Sequence, residues 1–218
     1  MSRLRLAVLI SGRGSNLLAI HDACRRGALD AEVVLVASDR PAAGIDSARE
    51  RGLDATVVPT TDFATRALHE AAMRARVDAA HPDCVVLAGY MRVLGAEFVG
   101  HYAGRMLNIH PSLLPRHKGL HTHRRALEAG DRVHGASVHY VTPELDGGPV
   151  LLQARVPVLP GDDEQRLSAR VQAAEHRIYP RVLQWIASGR LVFRDGPVLD
   201  GEPLATPVVE DHLEAGNP

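Results

Sequence analysis

The chain has 218 residues, 45% of them apolar, enough to bury the core of one domain, and its 25 basic residues nearly cancel its 26 acidic ones. So balanced a charge excludes the large positive field that draws a protein to nucleic acid or to an anionic membrane, and the expected partner is a small molecule. Lys118 is the only lysine, so a Walker phosphate loop is excluded and any phosphate must be held by backbone amides, hydroxyls, side-chain amides or arginine.

In chain order, residues 6–10, 33–37 and 84–88 are short apolar runs without alternation, as expected of parallel strands covered on both faces. Helical patterns at 17–26, 45–51 and 64–79 separate them, and a weaker strand is expected at 55–58. Residues 106–109 form another strand pattern, and 111–122, rich in Pro, Gly and His, reads as a long surface loop of the kind that carries function. Segments 136–141 and 150–158 alternate and join through the turn-rich 143–149, predicting an antiparallel addition to the sheet. The spacing of Leu167, Val171, Ala174, Ile178, Val182, Trp185 and Ile186 predicts a helix over 163–188, kinked at Pro180 and stopped at Gly189. Beyond residue 190 only two short strand-like pieces are expected, followed by a frayed, Pro-rich acidic tail at 202–218. The predicted fold is α/β: a Rossmann-like N-terminal parallel sheet (1–105), extended by antiparallel C-terminal strands (106–200) into one mixed sheet flanked by helices, with 201–218 as a tail.

Three segments carry candidate chemistry. Ser11-Gly12-Arg13-Gly14-Ser15-Asn16-Leu17 lies between the first strand and the first helix, where glycines let the backbone approach a ligand and free amides favour an anion. Leu17 replaces the third glycine of a dinucleotide fingerprint, which points to a single phosphate at Gly14, Ser15 and Asn16. The plainer alternative is that Ser15 and Asn16 only cap the helix. In Asn108-Ile109-His110-Pro111-Ser112, the strand period puts Asn108 and His110 on one side, an amide donor beside an imidazole at a strand end, suited to an oxyanion and a proton. The third segment, Thr142-Pro143-Glu144-Leu145-Asp146-Gly147-Gly148-Pro149, is a turn that could carry Asp146 to His110 and favour the charged ring. It could equally be an ordinary turn in which Asp146 bonds its own backbone.

Together, and in this order, these three segments resemble the glycinamide ribonucleotide formyltransferase family of folate-dependent formyl transferases. The similarity extends through Val86 to Leu94, Gly119 to His123 and Val171 to His176, covering roughly residues 5–193. It implies transfer of the formyl group of 10-formyltetrahydrofolate to glycinamide ribonucleotide in purine biosynthesis, with Asn108, His110 and Asp146 catalytic. It also implies that Gly14, Ser15, Asn16, Gln172 and Glu175 hold the phosphoribosyl part, giving residues 1–105 a phosphoribosyl-binding role. Arg66, Met91, Arg92, Val93, Leu94, Asn108, Thr142, Pro143, Glu144, Leu145 and Asp146 would contact the folate, making 106–200 the folate-binding and catalytic half. Gln172 and Glu175, three apart on the long helix, share a stripe offset from the apolar one.

The alternative enzyme is formyltetrahydrofolate hydrolase, which resembles this set but uses water. Hydrolases of that kind carry a regulatory domain ahead of the catalytic one, whereas the first strand here is expected within ten residues of Met1. A methionyl-tRNA formyltransferase would need a further C-terminal domain and a basic surface for RNA. No metal is expected, since His117, His121 and His123 lack a nearby carboxylate or thiolate set. Two distant cysteines, Cys24 and Cys84, with no signal-peptide or membrane-length run, suit a cytoplasmic setting with no membrane or nucleic-acid partner, as monomer or homodimer.

Overall fold

The computed structural model describes residues 3–212. The order is β1 (Leu4–Ile10), α1 (Ser15–Arg25), β2 (Ala31–Ser38), α2 (Ala43–Glu50), β3 (Ala55–Val57), α3 (Arg66–Asp78), β4 (Cys84–Leu87), α4 (Ala96–His101) and β5 (Met106–His110). It continues with α5 (Thr122–Glu128), β6 (Val133–Tyr140), β7 (Val150–Pro157), α6 (Glu164–Ala187), β8 (Leu191–Phe193), β9 (Pro197–Leu199), β10 (Glu202–Pro203) and β11 (Val208–Asp211). Eight strands form one mixed sheet in the order β11-β7-β6-β5-β4-β1-β2-β3. Strands β1 to β5 pair in parallel, whereas β6 is antiparallel to both β5 and β7.

The pleat of β1 divides the interior. Leu6, Val8 and Ile10 face a layer built from α1, α2, α5 and α6, while Ala7 and Leu9 face Met73 and Val77 of α3, Phe98 and Val99 of α4, and Tyr102 just past its end. Farther along the sheet the two faces diverge. Leu107 and Ile109 of β5, Val138 of β6 and Leu152 and Ala154 of β7 pack in the α6 layer, so Asn108, His110, Ser137, His139 and Gln153 point to the opposite side. Residues 111–116 lie over that polar side. Ser137 Oγ accepts from the Leu114 amide at 3.0 Å and donates to the Ser112 carbonyl at 2.7 Å, and Gln153 Nε2 donates to the Leu114 carbonyl at 2.8 Å.

Helix α6 runs unbroken through Pro180. One residue earlier, the buried Tyr179 hydroxyl stands 3.0 Å from the Leu87 carbonyl, at the end of β4, and 3.1 Å from the Leu107 carbonyl, near the start of β5. No helix among the described residues is long and apolar enough to cross a membrane.

The tail departs from expectation. Residues 202–212 are not frayed: β10 pairs with β9, and β11 joins the main sheet parallel to β7, where Arg155 meets Asp211 at 3.1 Å and Arg181 meets Glu210 at 2.7 Å. Backbone pairing and two ion pairs supply order that the short polar run does not advertise. Residues 213–218 of the expected tail lie outside the described residues.

Tyr179→Phe keeps the ring and removes the only side-chain proton available to the two carbonyls. Its urea midpoint is expected to fall by an amount equivalent to about 1–2 kcal/mol at unchanged slope; an unmoved midpoint would show that the hydroxyl contributes nothing net.

Candidate active site

In this sheet the strand order reverses between β1 and β4, the place where α/β sheets open a crevice beyond their strand ends. The loops leaving β1, β4 and β5 meet there, and a cavity of about 420 Å³ opens beside them. Its wall includes Asn16, Met91, Arg92, Val93, Leu94, Asn108, His110, His139, Glu175 and all of Thr142, Pro143, Glu144, Leu145 and Asp146. Met91, Val93, Leu120 and Leu145 stand more than half exposed at its mouth, an apolar rim suited to a flat ring system.

At the start of α1, Gly14 adopts φ +74°, and a Cβ there would come within 3.1 Å of the Gly44 Cα. Only glycine fits both the turn and that approach. No side chain caps the helix, so the first amides of α1 keep their anion-binding capacity and the capping alternative for Ser15 and Asn16 does not hold. Both side chains instead reach α6: Ser15 Oγ accepts from Gln172 Nε2 at 3.0 Å, and Asn16 Nδ2 donates to Glu175 Oε2 at 2.8 Å. Glu175 is therefore not on an offset stripe but inside the buried face of α6, because Asn16 supplies a partner there. Asn16 Oδ1 is buried with no partner.

Asn108 and His110 share one side of β5, and the antiparallel register sets His139 opposite Asn108 and Ser137 opposite His110. Asn108 Nδ2 lies 3.1 Å from His139 Nε2, and His139 Nδ1 lies 2.9 Å from the Tyr140 carbonyl. A carbonyl can only accept, so the tautomer that fits carries its proton on Nδ1 and offers the Nε2 lone pair to the Asn108 amide. Burial lowers the His139 pKa, favouring this neutral ring. Asn108 is thereby oriented with one amide hydrogen left over.

Asp146 takes φ +48°, a left-handed position that aspartate tolerates, and aims its carboxylate across the turn. Its Oδ2 accepts from the Gly119 amide at 2.8 Å and stands 3.5 Å from His110 Nδ1; its Oδ1 is 3.8 Å from His139 Nε2. The local-turn alternative, with Asp146 bonding its own backbone, is thus not what the structure contains. His110 Nε2 lies 3.0 Å from the His117 carbonyl, so its proton there is fixed and Nδ1 is the nitrogen free to exchange one. His117 in turn meets Asp131 at 2.7 Å, which also pairs with Arg116.

Four sequence-derived residues stand apart from the wall: Gly14 and Ser15 lie in the turn just behind Asn16, and Gln172 and Arg66 are farther back. Gln172 sits behind Ser15. Arg66, 49% exposed at the start of α3, is paired with Glu70 at 2.6 Å, and Glu70 accepts from the Gly95 amide that closes the 91–94 loop. Arg66 thus borders the loop rather than the cavity. Sequence reasoning missed His139, whose only signal is its cross-strand register with Asn108. Among the described residues no group of three or more His, Cys, Asp or Glu side chains is arranged to hold a metal ion; His123 Nδ1 instead lies 3.2 Å from His134 Nε2.

The formyl transferase family model matches residues 4–183. The phosphoribosylglycinamide formyltransferase of Escherichia coli is 51% identical over 203 residues, 92% of this chain and 96% of that protein. A solved phosphoribosylglycinamide formyltransferase from Coxiella burnetii superposes with TM-score 0.91 at 47% identity, covering 95% of this chain and 99% of that one. A formyltetrahydrofolate deformylase from Burkholderia mallei has TM-score 0.82 at 28% identity, covering 90% of this chain and 70% of that one.

Burial pushes the Glu175 carboxyl up to about 7, against the opposing effect of the Asn16 hydrogen bond. The folded protein then holds a proton that the unfolded chain releases near the ordinary 4.5, so this group's contribution favours the fold at low pH and is lost as pH rises through about 7. In urea titrations, Glu175→Gln should gain on wild type by an amount on the order of 3 kcal/mol between pH 4.5 and 8. A difference independent of pH would contradict the buried, proton-holding carboxyl.

Proposed function

The chain belongs to the formyl transferase family, and from that premise we infer that it transfers the formyl group of 10-formyltetrahydrofolate to the amine of glycinamide ribonucleotide, a step of purine biosynthesis. The observation that carries this reading is that one cavity is lined both by the buried Asn16–Glu175 pair, next to the uncapped start of α1, and by the Asn108, His110 and Asp146 set.

In the proposed complex the phosphate lies at the amides of Gly14, Ser15 and Asn16. Glu175, paired through one oxygen with Asn16, keeps its other oxygen for a ribose hydroxyl, with Gln172 bracing Ser15. The folate ring enters between Met91 to Leu94 and Thr142 to Asp146, with Arg92 at the edge and Arg66 bracing the 91–94 loop through Glu70. Residues before and after 105 then contribute to both substrates.

The ribonucleotide amine attacks the formyl carbon, its C=O electrons moving to oxygen. The free amide hydrogen of Asn108 donates to that oxyanion, and the adjoining His110 ring adds positive charge to the same site. Collapse reforms C=O, breaks the bond to the folate nitrogen, and delivers a proton to that nitrogen from His110 Nδ1. The proton lost by the amine returns to the site by way of Asp146 and a water, restoring the ring. Asn108, His110 and Asp146 are assigned as the catalytic residues, and His139 as the residue that holds Asn108 in place. No step is assigned to a metal, and turnover is expected to survive dialysis against a chelator.

The hydrolase reading is disfavoured by the uncapped start of α1 and its Ser15–Gln172 and Asn16–Glu175 bonds to α6, an anion-ready element that a water acceptor does not require. Loss of formyl from the folate should therefore depend on glycinamide ribonucleotide; equal turnover without it would replace this reading by the hydrolase. Asp146→Asn preserves size and the bond from Gly119 but removes the charge beside His110. Its kcat is expected to fall on the order of 10²-fold with little change in either KM, and near-normal kcat in the folded variant would exclude Asp146 from proton handling.

A further inference from the structure

Ser11 and Asp39 have no part in the chemistry above, yet they tie the two halves of the cavity together. Both are buried, at the ends of the adjacent parallel strands β1 and β2. Ser11 Oγ donates to Asp39 Oδ1 at 2.6 Å, and the same oxygen accepts from the Met91 amide at 2.9 Å. The Ser11 amide meanwhile donates to the Gly89 carbonyl at 3.2 Å. The second oxygen of Asp39 is occupied by Arg40, whose Nε and Nη2 lie 3.1 and 2.7 Å away. Although burial alone would raise it, the bonds from Arg40 and Ser11 hold the Asp39 carboxyl below its ordinary value, so it is an acceptor only. The single proton of Ser11 is consequently fixed on Asp39, and its lone pairs are aimed at the 89–95 segment.

That segment needs such a tether. It has no regular structure; Tyr90 and Leu94 are packed into the core, but Met91 and Val93 between them are 60% and 57% exposed, so packing pins two points of the segment and leaves the 91–93 stretch to its polar bonds. Its polar anchors are the two bonds to Ser11 at one end and the Gly95 amide on Glu70 at the other. Ser11 also directly precedes the Gly12 to Asn16 turn. One residue therefore fixes the loop after β4 and begins the loop after β1.

We propose that Ser11 is a positioning residue: oriented by Asp39, its hydroxyl sets the shape of the Met91 to Leu94 wall and ties it to the turn carrying Gly14, Ser15 and Asn16. The proposal rests on the reading of these segments as the folate and ribonucleotide sides of one site.

The test uses the full chain with Ser11→Ala, Asp39→Ala and the conservative Asp39→Asn, whose amide oxygen can still accept from Ser11. Hydrogen–deuterium exchange read by mass spectrometry on peptides spanning 88–95, without substrate, should quicken in Ser11→Ala and Asp39→Ala while the strand peptides stay unchanged; Asp39→Asn should remain near wild type. In steady-state assays the KM for 10-formyltetrahydrofolate should rise about three- to tenfold in the two alanine variants, the worth of one lost hydrogen bond, and more than the KM for the ribonucleotide or the fall in kcat. Unchanged exchange at 88–95 in Ser11→Ala, loosening spread evenly over the chain, or an Asp39→Asn indistinguishable from Asp39→Ala would overturn the proposal. Faster exchange at 88–95 with an unmoved folate KM would uphold the tether and reject the folate assignment of that wall.

Discussion

The sheet is wider than the helices on one of its faces can cover, and the site depends on that mismatch. Helices α3 and α4 close over β1, β2 and β4, whereas α6 on the opposite side reaches across to β6 and β7. Over β5, β6 and β7 the uncovered face has to be made polar or shielded by chain. It is both: Ser137 and Gln153 are buried and hydrogen-bonded to the backbone of Ser112 and Leu114, and beside them Asn108, His110 and His139 meet the cavity. The same alternation that sends Leu107 and Ile109 into the core therefore puts an amide and imidazoles at the strand ends.

Within the cavity each polar group is aimed by a partner that cannot play the opposite role. The Tyr140 carbonyl decides the tautomer of His139, which decides the direction of the Asn108 amide; the His117 carbonyl holds one nitrogen of His110 and leaves the other towards Asp146. Asp146 is itself kept from turning by the Gly119 amide. Donors fixed in this way need little rearrangement when charge develops on a reacting oxygen, which is where a preorganised site gains over water. The cost is the desolvation of an imidazole, visible in the His139 pKa, which burial lowers.

Much of this was legible because it follows from periods of two and from strand-to-helix turns. Asn108 and His110 two apart, Gly14 before a helix and a carboxylate on the 143–149 turn are local patterns. His139 was not legible, since its nearness to Asn108 arises from the register between β5 and β6 and not from either strand alone. Glu175 reads as a surface residue until Asn16, 159 positions away, is placed beside it. The Ser11–Asp39 pair joins two strand ends whose adjacency depends on topology. Helices α4 and α5, of 6 and 7 residues, are too short to show a helical period. β11 was missed because four residues divided between valines and acids carry no clear strand pattern.

That last strand also changes the edge that the sheet presents. A mixed sheet has two open borders, each a row of unpaired amides and carbonyls able to add a strand from another chain. At one border β3 is only three residues long. At the other, the eight-residue β7 would offer a long apolar template, but β11 lies along it, with Glu210 paired to Arg181 of α6 and Asp211 to Arg155 of β7. The border of the sheet on this side is therefore a four-residue strand half made of acids in place of an eight-residue apolar one, and a short, charged edge is a poorer template for a strand from another chain.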